Sequence, residues 1–109
     1  MIKTLANNII KILDYHKGEK ILLMSVEKHT VIADYFVIAQ GNTVQHVKSM
    51  ADYLIDELKK HHDIVHIRMD GYDEGKWIVI DYGDIIVHLF RKEEREYYNI
   101  ERLWSGAAL

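Results

Sequence analysis

The chain contains no cysteine, which rules out disulfide staples, cysteine-ligated metal and thiolate chemistry. It contains no proline, no low-complexity tract and no internal repeat, so nothing in its composition marks a linker or a boundary between units. No stretch approaches the roughly 18 consecutive apolar residues that a membrane-spanning helix needs. The N-terminal MIKTLANNIIKILDYHKG has apolar residues at regular intervals instead of in a block, and no small-residue cleavage site follows. A cytoplasmic location is the expectation. Positive charge is also in short supply. The net charge is −3, which gives no overall attraction to nucleic acid, so no direct sequence-specific nucleic-acid contact is expected.

What is present fits one domain spanning 1–109, with 49% apolar and 28% charged residues. Acid is concentrated between residues 70 and 84. There Asp70, Asp73, Glu74, Asp81 and Asp84 face one base, Lys76, so this segment is more negative than the whole chain. A basic partner could use such a patch.

Leu5, Ala6, Ile9, Ile10, Ile12 and Leu13 recur at helical spacing and predict a helix over about 2–16, ended near Gly18. Strands are predicted at 20–26 and 34–40. Gly41-Asn42-Thr43 then breaks the chain and supplies an N-cap for a long helix over about 43–61. Ile64–Met69 alternates and reads as a half-exposed strand, with His66 and Arg68 opposite Val65, Ile67 and Met69. Gly83-Asp84, between two β-branched runs, predicts a tight hairpin, because glycine tolerates the positive φ of such turns. A two-residue turn pairs Trp77 with Phe90, Val79 with His88 and Asp81 with Ile86. Ile78, Ile80, Tyr82, Ile85, Val87 and Leu89 then form an apolar core face. Trp77, Val79, Asp81, Ile86, His88 and Phe90 form a mixed one. One helix over 93–104 closes the chain, with Tyr97, Ile100, Leu103 and Trp104 on one side. The expected fold class is α/β, a five-stranded mixed sheet flanked by helices.

Catalytic readings are weak. Asp81 and His88 fall on a strand diagonal, about 7–8 Å apart, where an aspartate could orient an imidazole. No cysteine is available as nucleophile, and Ser25, Ser49 and Ser105 lie in no nucleophile-elbow motif. A sheet-surface hydrogen bond is the commoner outcome for such a pair. His61, His62 and His66 lack any metal-binding spacing, so no metal site is expected. Gln40-Gly41-Asn42-Thr43 has the strand-to-helix form that cradles phosphate. The strand after that helix, IVHIRM, carries no carboxylate for magnesium, and two-metal phosphoryl transfer fails on that ground. Among the aromatics, Tyr82 and Trp104 are expected in the core. Trp77, set beside acids on the mixed face, has the character of a binding hot spot.

Four segments together resemble the Iojap family of ribosomal silencing factors (RsfS). They are Ala33–Ala39 with Gly41-Asn42; Gly71-Tyr72-Asp73-Glu74-Gly75 leading to Trp77; Asp81-Tyr82-Gly83-Asp84 leading to Val87-His88 and Phe90; and Arg95–Trp104. Gln40, where a small residue is common, and the Ser-Gly-Ala-Ala-Leu tail depart from the pattern. The resemblance implies a nucleotidyltransferase-like fold without the catalytic carboxylates, and a protein that is not an enzyme and needs no cofactor. It implies binding to the large ribosomal subunit through its fourteenth large-subunit protein, sterically blocking the small subunit and lowering translation when nutrients are short. The expected contact residues are Trp77 as anchor, with Tyr72, Asp73, Glu74, Asp81, Asp84 and His88 around it and Tyr98 and Arg95 as further candidates. Two other readings compete: a nucleotide-binding or hydrolytic enzyme, and a homodimer paired through Val79, Ile86 and Phe90.

Overall fold

The apolar stripe of the first fifteen residues and that of the long central helix are each too wide to leave in water, and both are laid on one side of a sheet. A computed structural model describes residues 2–104. The elements are α1 (Ile2–Tyr15), β1 (Glu19–Ser25), β2 (Tyr35–Gly41), α2 (Val44–His62), β3 (Arg68–Asp70), β4 (Trp77–Asp81), β5 (Ile85–Arg91), α3 (Lys92–Tyr98) and α4 (Ile100–Leu103). Thr43 caps α2 as expected, its hydroxyl accepting the His46 N–H at 3.1 Å.

The strands lie in the order β1-β2-β5-β4-β3. β2 and β5 are parallel, and every other neighbouring pair is antiparallel. The mixed five-stranded α/β sheet expected from the sequence is therefore present. The central parallel pair is buried on both faces, which is why DYFVIAQ and IIVHLF carry no clean polar alternation.

On one face, Ala6, Ile9 and Leu13 of α1 and Val47, Met50, Leu54 and Leu58 of α2 close over Val37, Ile78, Ile80, Val87 and Leu89. Tyr82 packs against this core, its hydroxyl buried without a partner among the described residues, and burial pushes the phenol up to about 12. The opposite face holds a second cluster around Met24, Phe36, Ile38, Phe90 and Ile100, with Trp77 and Trp104 half-buried against it.

The hairpin register is the expected one. Trp77 faces Phe90, Val79 faces His88, and Asp81 faces Ile86. Gly83 takes φ +91, and the Tyr82 N–H closes the turn on the Ile85 carbonyl at 2.9 Å.

Two expectations need correction. The third strand is only Arg68–Asp70, because Asp63 turns left-handed (φ +55) to end α2 and the Ile64 N–H returns to the Leu58 carbonyl. Residues 64–67 are spent leaving the helix, and Val65 and Ile67 end up exposed. The closing helix is also two helices. Asn99 adopts φ +43 with its N–H on the Arg95 carbonyl, and the redirected chain buries Ile100 while Tyr97 and Leu103 stay in solvent. Asparagine tolerates this conformation better than other non-glycine residues, so the break costs little.

Candidate functional site

The loop GYDEGK between β3 and β4 folds back on itself through two left-handed glycines, Gly71 (φ +83) and Gly75 (φ +71), with the Gly75 N–H on the Gly71 carbonyl. A Cβ on Gly71 would collide with the carbonyl oxygen of Trp77. Gly71→Ala is therefore expected to destabilise the protein by about 2–3 kcal/mol, from left-handed strain plus displacement of the start of β4. Urea unfolding measures it, and a loss below about 1 kcal/mol would mean the loop relaxes freely.

This reversal sends the two aromatics of the segment to opposite sides. Tyr72 turns to the helical layer, where its hydroxyl donates to Asp52 Oδ2 of α2 at 2.8 Å and the Lys48 ammonium lies 5.6 Å from its ring. The bond to Asp52 holds the Tyr72 phenol above its ordinary value. Trp77 turns to the other face of the sheet. Its indole stacks on Phe90 (centroids 4.8 Å, 26°) and leans on Tyr98 of α3 (4.9 Å, 43°). Its Nε1–H donates to His88 Nδ1 at 3.2 Å.

Beside this pair lies a hollow of about 300 Å³ lined by Gly71, Glu74, Lys76, Trp77, Glu94 and Tyr98. Arg91 holds Glu94 in place with a two-pronged bond, at 2.6 and 2.7 Å, and this keeps the Glu94 carboxyl below its usual range. The result is a half-buried indole beside an exposed tyrosine, in a rim of charged side chains.

The structure thus brings Trp77, Tyr98 and Glu74 together, with His88 beneath the indole. Asp73 is exposed on the same loop but beside Asp70 and Tyr72, around a separate shallow hollow. Asp81 and Asp84 lie at the far end of the hairpin, about 13 Å along the strand from Trp77. Asp81 Oδ1 accepts the Gly83 N–H at 2.7 Å, and Asp84 presents its carboxylate to solvent from the turn.

Two expected contact residues are interior. Arg95 is 7% exposed, its Nη1 donating to the Lys20 carbonyl at 2.6 Å and to Gln40 Oε1 at 3.3 Å, and its Nε to Glu101 at 3.2 Å. It ties β1, β2 and α4 together, a structural role. His88 is 8% exposed, and its hydrogen bond goes to Trp77, so the diagonal pair with Asp81 does not form. Phe90, considered for self-pairing, lies buried under Trp77.

Burial pushes the His88 imidazole down to about 4, against about 6.5 in an unfolded chain. Between those values the unfolded chain takes up a proton that the folded one refuses. The stability this confers is complete above about pH 6.5 and is lost as the pH falls to about 4, by about 3 kcal/mol. Comparing urea unfolding of native protein and His88→Asn at pH 7 and pH 4.5 checks it, and the variant is expected to lose less stability on acidification.

Glu94 and Lys76 were missed as members of the hollow. Glu94 and Tyr98 are four apart on one helix, a spacing that puts both on one side and was legible beforehand. Among the described residues no three His, Asp or Glu side chains converge to hold a metal, and no helix is long and apolar enough to cross a membrane.

The sequence pattern of the family described as "Ribosomal silencing factor during starvation" (RsfS) matches residues 1–108. The chain belongs to the RsfS family. The ribosomal silencing factor RsfS of Bacillus subtilis (strain 168) is 40% identical over 96 residues, covering 88% of this chain and 80% of that one. A mouse relative of the family, named mitochondrial assembly of ribosomal large subunit protein 1, is 29% identical over 99 residues, and these span 89% of this chain but 43% of the mouse protein. In three dimensions, the crystal structure of a Chromobacterium violaceum protein superposes with a TM-score of 0.91 at 29% identity, over 95% of this chain and 86% of that one. The family is a regulatory one associated with the ribosome, and the resemblance carried by the four segments is confirmed.

Proposed function

We propose that the chain binds the large ribosomal subunit through its fourteenth large-subunit protein and, seated beside the joining surface, sterically keeps the small subunit away, repressing translation in the cytoplasm when nutrients are limiting. Membership in a family of ribosomal silencing factors supports the process, and the mouse relative's name supports the choice of subunit. The observation that carries the contact site is the half-buried Trp77 against the exposed Tyr98, set among Glu74, Lys76 and Glu94. Ribosomal proteins are basic, so the excess of acid over residues 70–84 speeds encounter while aromatic area supplies affinity. The acids Asp73, Asp81 and Asp84 add to the same field from further off.

Such action needs no chemical step. It is occlusion, and the protein has only to stay in place. Purified subunits mixed with and without the protein test this on a sucrose gradient. The expected result is loss of joined ribosomes, with the protein travelling with the large subunit alone. Joined ribosomes forming normally at saturating protein would overturn the proposal. Titration with nucleotides and magnesium is expected to show no saturable binding.

A further inference from the structure

We infer that His88 is a positioning residue for the docking surface: its neutral imidazole fixes the Trp77 indole, and so the shape of the aromatic hollow, without itself meeting the partner. The inference rests on the reading of Trp77 as the contact anchor. Three neighbours hold the indole, and two of them, Phe90 and Tyr98, do so by ring contacts alone. Stacked faces allow sliding and rotation at small cost, because dispersion is nearly non-directional. The bond from Nε1–H to His88 Nδ1 is the one directional restraint among them.

That bond dictates the state of the imidazole. An indole nitrogen only donates, so Nδ1 must present a lone pair and the ring proton must sit on Nε2. Among the described residues Nε2 has no hydrogen-bond partner, and Phe36 packs edge-to-face on the ring, with centroids 4.8 Å apart. An unsatisfied buried N–H works against stability. A leucine at this core position would avoid that loss and pack as well. Histidine is therefore the poorer choice for the core, and what it adds over an apolar residue is an acceptor aimed at Trp77.

The test uses the free protein first. Its two tryptophans, Trp77 and Trp104, give two indole N–H signals, which a Trp104→Phe variant assigns. In His88→Leu the Trp77 N–H is expected to exchange with solvent about tenfold faster, and affinity for large subunits to fall about tenfold. His88→Asn, whose side-chain oxygen reaches the place of Nδ1, is expected to restore both to within about threefold. His88→Gln, which reaches only toward Nε2, is expected to restore neither. If His88→Leu does not fold, the contrast between the Asn and Gln variants decides the same point. Unchanged exchange in His88→Leu, or identical behaviour of Asn and Gln, would overturn the positioning role. The surface reading fails in a different measurement, namely a Trp77→Ala protein that still binds large subunits normally.

Discussion

Trp77→Ala is expected to weaken binding to large ribosomal subunits by about a hundredfold or more, while the protein stays folded. The indole is half-exposed, so its removal takes away only part of its buried area, against the about 3–5 kcal/mol seen for a fully buried tryptophan. Phe90 beneath it keeps the sheet covered. At the interface the same side chain would be fully desolvated, and truncating a central aromatic anchor there costs about 2–4 kcal/mol of affinity. Adding Asp81→Lys reverses one charge of the acidic field and removes the carboxylate that accepts the Gly83 N–H, a bond worth about 1 kcal/mol. The double variant is expected to be folded by circular dichroism and absent from the large-subunit peak on co-sedimentation. Normal co-sedimentation of that folded variant would put the docking surface elsewhere.

Arg95→Ala is expected to do the reverse, lowering stability by about 3–5 kcal/mol and leaving the docking surface of the folded molecules intact. Removing the buried guanidinium takes its partner from the half-buried Glu101, whose Oε1 has no hydrogen bond among the described residues. The Lys20 carbonyl and Gln40 Oε1 lose their donor in the same step. A domain of this size holds only about 5–15 kcal/mol, so the variant would be near the edge of folding at physiological temperature. Arg95→Lys is expected to recover little, since an ammonium cannot span three acceptors in a plane. Urea midpoints for the three proteins give the comparison, and an Arg95→Ala protein within about 1 kcal/mol of native would show that these contacts do not hold the fold.

Sequence reasoning reached furthest where one signal sits within a few residues of its consequence. Gly83-Asp84 fixed the register of ten neighbouring residues, because a two-residue turn leaves a single pairing and the apolar alternation agrees with it. The helices α1 and α2 followed from periodicity together with the local signals at Gly18 and Thr43. Two failures are local, the left-handed turns at Asp63 and Asn99 that shorten β3 and split the last helix; the rest are non-local. Arg95 reads as a surface residue until β1 is in place, where a register shift between Glu19 and Leu22, with Lys20 at φ +47, frees the carbonyl that captures it from 75 positions away. Tyr72 and Trp77 look like one aromatic cluster in the chain, and only the Gly71–Gly75 reversal shows them on opposite sides of the sheet. The grouping of Trp77 with Glu94 and Tyr98 depends on β5 delivering α3 next to β4, which no spacing within either segment announces.

The strand order has a consequence for how the chain is made. β2 finds its parallel neighbour in β5, 50 positions downstream (Tyr35 beside Ile85), with α2, β3 and β4 in between. As synthesis proceeds, α1, the β1–β2 pair and α2 emerge with the inner edge of β2 bare, and nothing behind them can cover it. The edge is sealed only when residues 85–91 arrive, as the last strand to be made becomes the middle of the sheet. Until then one edge of the apolar run FVIA stays uncovered, the kind of edge that invites pairing with a neighbouring chain.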